Sequence, residues 1–197
     1  MPKLNFQKTE TLTFLLITLL GVANGQVSVF YIVYLFWFQE LLRTLVDFFV
    51  IFRQKKNISE KWLFIKMSFG CFFILCIYFV FIVLLFGFML NWRDLDLLGD
   101  NIMVLMFRNW YFNSNILLFL AEYMYFRSKS DNTGLELRLF NRRHIILHVS
   151  IIMGAMIQMA IVPRLEIESK WVSALVVLPF MLLKLWLDKP VNHEKRN

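Results

Sequence analysis

Cysteine, glycine, proline and histidine are all scarce in this 197-residue chain, which holds two, seven, four and three of them. Cys71 and Cys76 lie five residues apart in one apolar stretch. That spacing turns them onto different faces of a helix and excludes a disulfide framework. The few glycines form neither a phosphate-cradling Gly/Lys loop nor a dinucleotide fingerprint, and neither a nucleophile-elbow serine nor a Cys-x-x-Cys pair is present. Between apolar stretches no loop exceeds about 17 residues, too little for a soluble catalytic domain. Repeats, low-complexity tracts and domain linkers are missing as well, so residues 1–197 read as one domain.

What the chain has in excess is apolar surface. Hydrophobic residues make up 59% of it, 22 of them Phe, and the mean hydropathy is +0.61. A soluble domain would hold about 45–50%, and none of this size has an interior for so many rings. A span needs about 20 apolar residues at about 1.5 Å each. Six stretches qualify, at about 9–23, 28–52, 62–90, 108–125, 144–162 and 171–187. Lys3 and Lys8 before the Leu12–Val22 run resemble a signal peptide, but the segment reads as a retained first span. Asn24-Gly25-Gln26 predicts a tight turn that makes the first two spans an antiparallel hairpin, and it explains Gly21-x-x-x-Gly25 better than a helix-packing motif does. Residues from about Leu95 to Phe107 are expected to lie along the surface, and Pro163 ends the fifth span where a missing N–H matters least.

The net charge of +7 invites a nucleic-acid partner, but its distribution excludes one. Lys3, Lys8, Arg53, Lys55, Lys56, Lys61, Arg127, Lys129, Arg138, Arg142, Arg143, Lys189, Lys195 and Arg196 fall on one side of the expected membrane; only Arg93, Arg164 and Lys170 fall on the other, among five carboxylates. Fourteen against three predicts both termini in the cytoplasm. Trp62, Trp92, Trp110, Trp171 and Trp186 fall near span ends, where an amphipathic indole belongs, with Trp37 the exception. Asn57-Ile-Ser59 reads as a glycosylation acceptor but falls on the cytoplasmic side. The expected architecture is an all-α, six-span helical bundle in a bacterial-type inner membrane.

An ionisable group inside a span is a functional hypothesis by default. Glu40, Arg43 and Asp47 share one helix face at offsets of three and four. The fourth span carries Asn113, Asn115 and Glu122, the fifth His144, His148 and Gln158, the sixth Lys184. Depth places Glu122, Asp47, Arg43, His144 and His148 in the cytoplasmic half. Glu40, Arg43, Asp47, Glu122 and His148 are therefore the candidate cluster, either satisfying one another or holding a small ligand or ion. His144 and His148, at i and i+4, are the candidate metal ligands. The residues between them are aliphatic, though, and Arg142 and Arg143 stand beside them, so no metal and no cofactor is expected.

The segment Arg143-His-Ile-Ile-Leu-His148-Val-Ser-Ile-Ile-Met-Gly154 resembles the signature of an uncharacterised family of small bacterial and archaeal integral membrane proteins. Trp37-Phe38-Gln39-Glu40 in the second span, and Leu183-Lys184 with Asp188 at the end, are similar to that family's pattern. Its members carry His-Tyr-Gly and further histidines in the middle spans, whereas Tyr78 has no such neighbours here. The resemblance implies a fold and a shortlist of residues, His148 and Glu40 among them, but no activity. The sequence thus points to a non-enzymatic membrane protein whose partner is the lipid bilayer. The alternatives are an accessory subunit held by other membrane subunits, and an intramembrane metal-dependent or acid/base enzyme using His148.

Overall fold

The structure is a computed structural model that describes residues 16–54, 58–89, 94–129, 142–156 and 159. All regular structure among them is helical. Helical residues 16–23 form the described part of α1, followed by α2 (Val29–Gln54), α3 (Ile58–Ile82), α4 (Leu95–Leu105), α5 (Trp110–Lys129) and α6 (Arg142–Met156). The winding of α3 widens into a π-helical segment at Val83–Met89.

Polar side chains set the ends of these helices. Gly25 adopts φ +70°; its N–H reaches the Val22 carbonyl and that of Gln26 the Gly21 carbonyl, both at 2.9 Å. This is a Schellman stop, and glycine takes its left-handed residue without strain. Gly21 leaves room for Val27, because a Cβ there would sit 2.8 Å from a Val27 methyl. Ser28 then caps α2 by accepting from Tyr31 N–H at 3.1 Å, Asp94 caps α4 through Leu97 N–H at 3.0 Å, and Asn109 caps α5 through Phe112 N–H at 3.0 Å. A second Schellman stop closes α4, with Phe107 N–H on Val104 O and Arg108 N–H on Met103 O. Its left-handed residue is Phe107, at φ 58°, a conformation that costs a bulky side chain about 1–2 kcal/mol. The ring offsets this by packing on Phe38 and Phe112.

Side-chain pairings give the helix directions. Trp37 meets Leu75 and Phe48 meets Phe64, so α2 and α3 are antiparallel. Tyr31 meets Asn115 and Asp47 meets Tyr123, so α5 runs parallel to α2. Tyr78 meets His148, and a Cβ on Gly154 would touch Phe86, so α6 runs parallel to α3. At the centre Tyr34 stacks on Phe30, Trp37 and Phe112 at 5.4, 5.6 and 5.2 Å. Each such pair contributes about 0.5–1.5 kcal/mol beyond the area it buries. Trp37, the one tryptophan expected away from a span end, is buried and donates its indole N–H to Leu75 O at 2.8 Å.

Among the described residues one helix, Lys61–Met89, is long and apolar enough to cross a membrane, and 22% of its 18-residue apolar window is buried. Six spans were expected. The difference has identifiable sources. Charged and amide side chains interrupt α2 and α5, the described part of α6 ends at Met156, and the expected span at 171–187 lies outside the described residues. The helix at Leu95–Leu105 stands where a surface helix was expected. Cys71 and Cys76 are both free thiols.

Candidate functional site

One face of α2 carries the buried charges. Glu40 and Asp47 are 7% and 6% exposed, with Gln39 and Thr44 buried beside them. Arg43 stands between the two carboxylates, one turn from each. Its guanidinium reaches Glu40 at 4.0 Å, the outer limit of an ion pair. It also lies over the α5 rings, 4.9 Å from the centre of Phe119 and 5.9 Å from that of Tyr123. Those rings are themselves stacked, 5.8 Å apart and 12° from parallel. A cation on such a plate gains about 0.5–2 kcal/mol, more as water is excluded. The Tyr123 hydroxyl donates to Asp47 Oδ1 at 2.7 Å, and the Thr44 hydroxyl donates to the Glu40 backbone carbonyl at 2.8 Å. Arg43 and Asp47 of α2 thus meet two aromatic side chains one turn apart on α5. Glu122 is half-buried immediately before Tyr123.

His148 lies elsewhere. Its Nδ1 is 3.3 Å from the Tyr78 hydroxyl, across a sequence separation of 70, and its side chain is exposed. Because Leu75 is level with Trp37, Tyr78 and His148 sit near the level of Tyr34, roughly two turns from Glu40. The sequence groups His148 with Glu122, Asp47 and Arg43 in the cytoplasmic half. The structure instead starts α6 well along α3. The side chain of His144, and all of Gln158 and Lys184, lie outside the described residues. The described residues hold no group of three or more His, Cys, Asp or Glu able to bind a metal ion.

A second polar assembly, at the end of the bundle where α2 begins, escaped sequence reasoning. Asn101, 1% exposed on α4, accepts from the Ser28 hydroxyl at 2.8 Å and donates to the Phe86 carbonyl of the π segment at 3.3 Å. Asn109 donates to Gln26 O at 3.3 Å, Asn24 to the Tyr111 hydroxyl at 2.7 Å, Asn113 to Phe107 O at 2.6 Å and Asn115 to the Tyr31 hydroxyl at 3.0 Å. The signal was there: asparagines at 24, 101 and 109 stand at or near helix ends, where their amides satisfy backbone groups. Amides and hydroxyls carry no charge to exchange near neutral pH, so this network positions backbone; chemistry that needs charge belongs to the Glu40–Arg43–Asp47 face.

Gly154, at the end of the motif segment, also has a packing role. A Cβ there would lie 3.0 Å from Phe86 Cε1 and 3.2 Å from a Val29 methyl carbon, so hydrogen alone fits between α6, α2 and the π segment. Comparisons with curated proteins and with solved structures give no match. A family model described as a family of unknown function, DUF6498, matches residues 5–197, and the chain therefore belongs to that uncharacterised family.

Proposed function

We propose that this chain is a multi-pass integral membrane protein of bacterial inner-membrane type, both termini cytoplasmic, with no catalytic role of its own. In this reading Glu40, Arg43, Asp47 and Tyr123 clasp α2 to α5 within the bilayer. One observation carries it: the charged face of α2 closes on α5 through the Tyr123–Asp47 hydrogen bond and the Phe119–Tyr123 plate under Arg43. The membrane part is supported by Lys61–Met89, whose large apolar side chains point outward, Phe69 at 73% exposure and Phe73 at 59%. Water would oppose such a surface; hydrocarbon would not. The fourteen-to-three basic asymmetry supports the orientation.

Glu40→Leu tests the clasp. Removing one of the two carboxylates beside Arg43 should lower the melting temperature in detergent, by a loss on the order of 1–3 kcal/mol. Glu40→Leu with Arg43→Leu should recover part of it, because the guanidinium is gone while Asp47 keeps the hydrogen bond from Tyr123. An unchanged single variant rejects the Glu40–Arg43 pairing, and side-specific labelling that finds the chain ends on opposite faces rejects the topology.

The exposed Tyr78–His148 pair favours a second reading, an accessory subunit. A histidine facing lipid at that level is costly, and a partner helix bearing a hydrogen-bonding group would relieve the cost. A heteromeric band on a native gel in mild detergent supports it; a lone monomer or homodimer does not.

A further inference from the structure

We infer that α4 is an interfacial helix whose exposed apolar stripe seats in the headgroup–acyl boundary of a bilayer, an inference that rests on the membrane reading above. Helix α4 divides into three faces at 100° per residue. Asn101 and Val104 turn into the bundle, 1% and 2% exposed. Leu95, Ile102 and Met106 align on a second face, 76%, 40% and 60% exposed. Asp96 and Asp100, both exposed, occupy the edge between. A helix standing free in water gains nothing from the second face; one lying in a bilayer surface buries it sideways and leaves the acidic edge in the headgroups.

Two further features fix where this happens. Asn101 bonds to Ser28, where α2 begins, and to Phe86 in the π segment, so α4 is held at one end of the bundle. The chain then leads to Trp110 at the start of α5, 75% exposed, an amphipathic indole of the kind that settles at a membrane–water boundary. Between Asp94 and Leu105 there are three carboxylates and no Lys or Arg. Arg93 and Arg108 flank this run, so it is the Asp96–Asp100 edge itself that disfavours anionic headgroups, and zwitterionic ones, which carry an ammonium group, complement that edge.

The test uses the unmodified full-length protein in vesicles of phosphatidylcholine and phosphatidylethanolamine. The probe is a phosphatidylcholine bearing a trifluoromethylphenyl diazirine near the top of one acyl chain, and carbene adducts are mapped by peptide fragmentation. Adducts should appear on Leu95, Ile102 and Met106 as well as on Leu84 and Met89 at the end of the α3 helix, with Asp96 and Asp100 at background. Adducts on α3 but none on α4 overturn the interfacial placement and leave the membrane reading standing. Adducts on neither overturn both, and adducts on Asp96 and Asp100 equal to those on Ile102 overturn the sidedness. Replacing phosphatidylethanolamine by phosphatidylglycerol should reduce the α4 adducts selectively; an increase there would refute the headgroup preference.

Discussion

Replacing Gly154 by alanine sets two opposed effects against each other. Alanine in a helix interior is favoured over glycine by about 0.8–1.0 kcal/mol. Against that, the new methyl would meet Phe86 Cε1 at 3.0 Å, Phe86 Cζ at 3.2 Å and a Val29 methyl carbon at 3.2 Å. Phe86 cannot easily retreat, since it is 1% exposed and its carbonyl is held by Asn101. Overpacking of this kind costs about 1–3 kcal/mol, so steric cost should win or nearly cancel, leaving the variant up to about 2 kcal/mol less stable. Gly99 on α4 is the reference, because a Cβ there meets nothing within 4 Å; Gly99→Ala should show the propensity gain alone. The two are compared by thermal unfolding in detergent, where about 1 kcal/mol corresponds to about 2–4 °C for a chain of this length. Gly154→Ala with Phe86→Leu should recover stability relative to Gly154→Ala, the smaller side chain making space. If Gly154→Ala and Gly99→Ala shift the transition equally, no tight junction exists between α6 and the π segment and the reasoning fails.

Other expectations follow from single contacts. In a double-mutant cycle of Asp47→Ala and Tyr123→Phe, the coupling should be about 0.6–1.7 kcal/mol, as for hydrogen bonds between helices in lipid; zero coupling would show that the 2.7 Å contact does not join α2 to α5. Asn101→Leu removes the partner of the half-buried Ser28 hydroxyl and of the Phe86 carbonyl, at a cost of about 1–3 kcal/mol, and should speed amide exchange in both the α2 cap and α4; protection unchanged in either would refute the link. Asp100 is held above the usual carboxyl range by partial desolvation and then by Asp96 and Asp94. A raised folded-state value favours the protonated fold, so stability should rise as pH falls through that value and level off below the ordinary one. Asp100→Asn should flatten that slope, and a steeper slope in the variant would reverse the assignment.

Much of the scaffold was legible because its signals are local. The turn at Asn24-Gly25, the start of α2 beside Ser28 and a helix opening near Leu95 each depend on a few adjacent residues. The alignment of Glu40, Arg43 and Asp47 followed from helical period alone. What they meet on α5 did not, because Phe119 and Tyr123 read as two more aromatics in an aromatic-rich chain. His148 meets Tyr78, a neighbour the sequence did not name, because sequence counts residues from a helix start and cannot say how far one helix slides along another. The left-handed Phe107 contradicts its own backbone preference and is held by rings distant in sequence or beyond the turn. The π segment at Val83–Met89 left no trace in hydrophobic periodicity.

The hydrogen bond from Tyr123 to Asp47 spans 76 residues, which bears on how the chain is made. During synthesis α2 emerges with its carboxylates long before α5 exists to receive them. A nascent chain halted in between would expose acidic groups that nothing downstream has yet covered, a mark by which a cell's quality-control machinery could tell unfinished copies from complete ones.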